Sequence, residues 1–166
     1  PQIVLLRKST SERIELVRQV VSKVAILHRQ NASHLDLGEH SIWIQEPNTV
    51  KLSHFMSASI PEDETLGDAR FQFLSTAKIP EDVYGQISDS KKKDVYLVGL
   101  LSHKLLFGKL PNMDPEDGTM LWDSKVDETN DFSKLHSWIS TALELDPDHR
   151  FDSAVEALEA FGQAAK

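Results

Sequence analysis

The side chains best suited to chemistry in this 166-residue chain crowd into one polar stretch, Ser33-His34-Leu35-Asp36-Leu37-Gly38-Glu39-His40-Ser41, with His54 a little further on. Three imidazoles, His34, His40 and His54, raise the question of zinc, which readily takes histidine nitrogen. Their spacings are unrelated and do not make a ligand set, so no metal site is expected. The chain has no cysteine, which excludes disulfides and thiolate metal centres and suits a cytoplasmic protein.

Such a loop needs elements on either side to hold it. Ile42-Trp43-Ile44 and Thr49-Val50-Lys51-Leu52 flank Gln45-Glu46-Pro47-Asn48, a stretch rich in turn formers, and predict a small hairpin that delivers Ser53-His54-Phe55 at its far end. Upstream, Ser9 followed three residues later by Glu12 is a capping-box pattern. The helix it opens carries Ile14, Val17, Val20, Val21, Val24 and Leu27 on one face, with Arg13, Arg18 and Lys23 opposite, and stops before Asn31.

The element that organises the rest is Asp94 to Leu106. Its apolar residues surround the helix rather than forming a stripe, the pattern of a helix buried on all sides. Lys91-Lys92-Lys93 gives it a solvated start, while Gly108 and Pro111 stop it near Phe107. About three apolar turns are too short for a membrane, which needs roughly 20 residues.

Elsewhere, Gln2 to Leu6 reads as a short strand, and Met56 to Tyr84 has little periodicity. Asn112 to Asp131 is irregular, with one short helix expected around Pro115 to Trp122. Phe132, Leu135, Ile139 and Leu143, with Trp138 near the same face, predict a further helix. After a turn at Leu145-Asp146-Pro147-Asp148, Ala154, Val155, Leu158 and Phe161 predict the last helix, capped by Asp152 or Ser153.

Length and composition fit one soluble core: 40% of residues are hydrophobic and 27% charged. A formal charge of -8 argues against a general nucleic-acid surface, which needs a basic face. No signal peptide is visible. Because the first residue is Pro1, the chain is expected to be a piece of a longer protein.

In order and spacing these pieces resemble the large, mostly helical lobe of a eukaryotic-type protein kinase. His34-Leu35-Asp36 resembles the catalytic-loop His-Arg-Asp, and Val50 to Met56 the segment that ends in Asp-Phe-Gly. Ile79-Pro80-Glu81 resembles Ala-Pro-Glu, and Asp94-Val95-Tyr96 with Gly99 the start of the central helix. Asp146 to Arg150 resembles the segment bearing the family's late arginine.

The resemblance implies a mainly α bundle around the buried helix, with residues 1–8 as the end of the small lobe and hinge and residues 9–166 as the large lobe. It also implies that Asp36 stands where the family keeps the carboxylate that accepts the substrate hydroxyl's proton. Around it the pattern departs: Gly38 stands for the phosphate-contacting lysine, Ser41 for the second-metal asparagine and His54 for the metal-binding aspartate. Neutral imidazole is a poor exchange for the hard oxygen ligands magnesium prefers.

His34 is accordingly expected to be structural, Asp36 to be either a relic of catalysis or a holder of loop hydrogen bonds, and Asp94 to accept bonds from the backbone around His34 and Leu35. Glu81 should pair with Arg150. Leu35 leaves no guanidinium for a phosphate at Ser75 or Thr76. The leading expectation is a pseudokinase-type scaffold or regulatory module, with no cofactor in this chain. It would bind a protein partner through residues 56–84 and the surface near 112–131, besides its own N-terminal lobe, and neither nucleic acid nor membrane.

The alternative is a divergent serine/threonine kinase using ATP and Mg, its metal site rebuilt from Glu39, His40 and Ser41. A third reading is an unrelated helical interaction domain, which a large separation of Asp94 from the His34 loop would favour.

Overall fold

The computed structural model describes residues 8–60, 79–81, 85, 88–114, 116–121 and 132–165. The expected strand at Gln2–Leu6, most of residues 56–84 including Ser75 and Thr76, and part of residues 112–131 lie outside them.

Helix α1 (Thr10–Arg29) opens with both halves of the capping box: Glu12 N–H donates to Ser9 Oγ at 3.3 Å and Ser9 N–H to the Glu12 carboxylate at 2.8 Å. The Ser9 amide and the Asn48 side-chain amide both favour the charged carboxylate, and lower the Glu12 pKa to about 2. Leu16, Val17, Val20, Val21, Val24 and Ala25 on α1 are fully buried, each large aliphatic contributing about 1.5–3 kcal/mol.

Strands β1 (Ile42–Gln45) and β2 (Thr49–Leu52) form the expected antiparallel hairpin, with Ile42 opposite Leu52 and Ile44 opposite Val50. Its inner face rests on α1, where Gln19 accepts the Val50 amide and donates to the Asn48 carbonyl.

Helix α2 (Ser90–Phe107) begins a turn before Asp94, capped by Asp89, whose carboxylate accepts from Lys91 N–H. It ends at Gly108, which has φ 77° and donates its amide to the Lys104 carbonyl. From Asp94 to Leu106 every residue except Leu100 and Lys104 is buried, so this helix is the post around which the others stand. Gly99 allows the close approach of the next helix, since a Cβ there would lie 2.8 Å from Leu143 Cδ2.

Helix α3 (His136–Ala142) follows a 3-10 turn at Ser133–Leu135, which shortens the α-helix expected from Phe132 onward. Helix α4 (Ala154–Ala164) takes Ser153 as its cap. Trp138 on α3 donates its indole N–H to the Ala157 carbonyl of α4 at 2.7 Å, and its ring meets Phe161 edge-on. Helix α1 packs on both α2 and α4. The described architecture is a mainly α bundle around a buried central helix with a small β-hairpin, as the kinase resemblance implied. None of the described helices is long and apolar enough to cross a membrane.

One element differs from the expectation. Residues 116–121 are a turn and a strand rather than a short helix: β3 (Asn112–Met113) pairs antiparallel with β4 (Met120–Leu121). Asp114 accepts from Glu116 N–H, Asp117 accepts from Thr119 N–H, and Gly118 takes φ 76°. Aspartates that bond their own backbone two residues on, followed by a left-handed glycine, favour a turn over a helix.

Candidate functional site

The polar loop is held to the central helix by one carboxylate. Asp94, fully buried, accepts His34 N–H on Oδ2 and Leu35 N–H on Oδ1, both at 2.7 Å. Leu35 has φ 64°, a left-handed conformation that is unfavourable for a side-chain-bearing residue. Such strain persists where surrounding bonds over-determine it, and the two Asp94 bonds supply that restraint. The contact expected between Asp94 and the His34 loop is therefore present, and the separation that would have favoured an unrelated helical domain is not seen.

Asp94 has a third donor, which the motif pattern does not predict. His28, from the last turn of α1, donates Nε2–H to Asp94 Oδ2 at 3.1 Å, while its Nδ1 accepts the Ala154 amide at the start of α4. Both side chains are wholly buried. The available signal was His28 falling four residues after Val24 on the apolar face of α1, a position where a polar residue needs a buried partner.

His34 turns inward. Its Nε2–H donates to the Ser53 carbonyl at 2.9 Å and its Nδ1 accepts Asp36 N–H at 3.3 Å, which fixes a neutral tautomer. Burial pushes the imidazole below its ordinary pKa, overriding the Ser53 carbonyl and the Asp94 and Asp36 carboxylates that pull the other way. Phe55 covers it, with ring centroids 4.7 Å apart.

Asp36 sits at the rim with its side chain 12% exposed, and its neighbour is His40. A carbonyl oxygen only accepts, so His40 Nε2 is the donor to the Asp36 carbonyl at 3.1 Å, and the same nitrogen lies 3.2 Å from Asp36 Oδ2. Ser41 is buried, its hydroxyl accepting Gly38 N–H at 2.9 Å and donating to the Gly38 carbonyl at 3.0 Å. Glu39 pairs with Lys104 of α2. His54, at φ 61°, meets His40 edge-on at 5.6 Å, and its Nδ1 lies 2.9 Å from Ser53 Oγ.

The donor set does not fit a magnesium ion. Among the described residues, Asp36 is the carboxylate beside His40, Ser41 Oγ is turned into the loop, and the Glu39 carboxylate is held by Lys104. Hard divalent cations need several convergent oxygens. Among the described residues, no three His, Asp or Glu side chains are grouped to hold a metal ion. A cavity of about 300 Å³ lies behind the loop, between Leu37, Gly38 and Glu39 on one side and Tyr96, Lys104 and Met113 on the other.

Glu81 and Arg150 meet as expected, through two parallel bonds of 2.7 and 2.8 Å, with both side chains fully buried. Arg150 also donates to the Glu144, Leu145 and Lys92 carbonyls and lies over the Tyr96 ring. Burial works to raise the Glu81 pKa, but the bonds from Arg150 and Ser88 outweigh it and leave the carboxyl below its ordinary value.

The order of these elements and this loop arrangement agree with a kinase-like relationship, which sequence similarity to two protein kinases supports. The chain is similar over most of its length to "Serine/threonine-protein kinase PrkC" of Bacillus subtilis, with 26% identity over 164 residues, covering 90% of this chain and 24% of that protein. It is similar also to "Maternal embryonic leucine zipper kinase" of Danio rerio, with 28% identity over 157 residues, covering 87% of this chain and 22% of the relative. The chain thus spans less than a quarter of the length of either relative. No family model matches it.

Proposed function

We propose that this chain is the large lobe of a pseudokinase-type domain, working as a scaffold or regulatory module for a protein partner and not as a phosphotransferase. In this reading residues 9–166 are the large lobe and residues 1–8 the end of the small lobe and hinge. The protein is cytoplasmic and needs no bound cofactor. One observation carries the proposal: the polar side chains next to Asp36 are turned to partners within the domain. Ser41 bonds the Gly38 backbone, Glu39 pairs with Lys104 and His40 bonds the Asp36 carbonyl. With His54 in place of a carboxylate, little is left to anchor metal-bound phosphates. Losing such an anchor costs about 4 kcal/mol of transition-state stabilisation, roughly a thousandfold in rate.

The test is ATP binding and phosphotransfer by the full-length protein, with and without magnesium. The expected result is no magnesium-dependent ATP binding and no transfer to a generic protein substrate. Transfer that disappears on Asp36→Asn would establish the competing reading, a divergent serine/threonine kinase, which the retained Asp36 favours.

A further inference from the structure

Gly38 has an extended backbone, φ -175° and ψ -171°, that any residue can adopt, so its conformation does not account for a glycine. Space does. A Cβ on Gly38 would lie 2.9 Å from His40 Cε1 and 3.0 Å from His40 Nδ1. Carbon atoms do not approach that closely, so a side chain at position 38 would force the imidazole to move. The ring is not free to do so without loss. Its Nε2–H is held by the Asp36 carbonyl, with the Asp36 carboxylate 3.2 Å away, and its other side meets His54.

We infer that Gly38 and His40 are a matched pair: the missing side chain at 38 is the space in which the His40 imidazole folds back onto Asp36, which makes His40 the positioning residue for this carboxylate. The imidazole thus bonds the backbone of Asp36 and places its Nε2 3.2 Å from the Asp36 carboxylate. The imidazole from position 40 then takes the ground that a side chain at 38 would cover. This pairing is independent of whether the full-length protein transfers phosphate.

The experiment is a double-mutant cycle on the full chain, Gly38→Ala and His40→Ala, read by thermal unfolding together with histidine-selective ¹⁵N NMR. Gly38→Ala is expected to lower the melting temperature by about 3–6 °C alone and by less than about 1 °C in the His40→Ala background. The His40 ring signals should shift in Gly38→Ala and equally in Asp36→Asn. Equal Gly38→Ala penalties in both backgrounds, or His40 ring signals indifferent to both substitutions, would overturn the pairing. Should Gly38→Ala fail to fold alone, cooperative unfolding of the double variant supports the inference, and its failure to fold as well refutes it.

Discussion

His28 Nε2 and Asp94 Oδ2 lie 3.1 Å apart with both side chains wholly buried, and they join the first helix to the central one across 66 residues of sequence. The same imidazole accepts the Ala154 amide, so one side chain ties together α1, α2 and α4. Because Asp94 also holds the strained Leu35, the polar loop inherits its shape from this junction.

Removing the imidazole by His28→Ala should leave the Ala154 amide buried without a partner and take one of three donors from Asp94. An unpaired buried donor costs about 1–3 kcal/mol, so with the added cavity a loss of roughly 3–4 kcal/mol is expected in urea unfolding. His28→Gln should recover part of it. A loss below about 1 kcal/mol would show that the junction carries little.

Asp94→Ala should be worse, because His34 N–H and Leu35 N–H lose their acceptor together and nothing then holds Leu35 at φ 64°. The expected cost is about 4–5 kcal/mol. Hydrogen exchange should show His34 and Leu35 amides losing protection ahead of the rest of the core. Uniform loss across the chain would place the effect elsewhere.

Truncation at Arg150 strands Glu81 as an uncompensated buried charge, so Arg150→Ala is expected to cost about 3–5 kcal/mol. Replacing both partners, Arg150→Met with Glu81→Leu, should cost markedly less than the sum of the singles, since no charge is then left behind. Additive losses in calorimetry would mean that each side chain acts through its other contacts.

Acid should weaken the fold in two steps, one beginning near pH 6.5 and one near pH 4.5. His34 has a folded pKa below its ordinary 6.5, so as pH falls through about 6.5 the unfolded chain takes up a proton that the folded chain refuses, and stability drops until the folded value is passed. Glu81, held below its ordinary 4.5, contributes in full above that value, and its contribution disappears as pH falls through the lower folded one. Melting temperature against pH should therefore flatten in the upper range for His34→Gln and in the lower range for the Arg150→Met/Glu81→Leu pair. Unchanged profiles would remove both assignments.

What the sequence determined by itself was whatever depends on neighbours within about four residues: the Ser9–Glu12 capping box, the Gly108 stop, the hairpin between Ile42 and Leu52, and the all-round apolar character of the central helix. The order of its motifs also placed Asp94 against the His34 loop and Glu81 against Arg150. Tertiary structure alone decided the rest. That His28 serves Asp94, that Leu35 is strained, and that the His40 ring fills the space over Gly38 depend on where a donor and an acceptor come to lie in three dimensions. Spacing along a helix records which face is buried, but a hydrogen bond between residues 28 and 94 leaves no local periodicity. In the stretch after α2, aspartate side chains competing for their own backbone overrode the weak helical pattern and turned the chain into a hairpin.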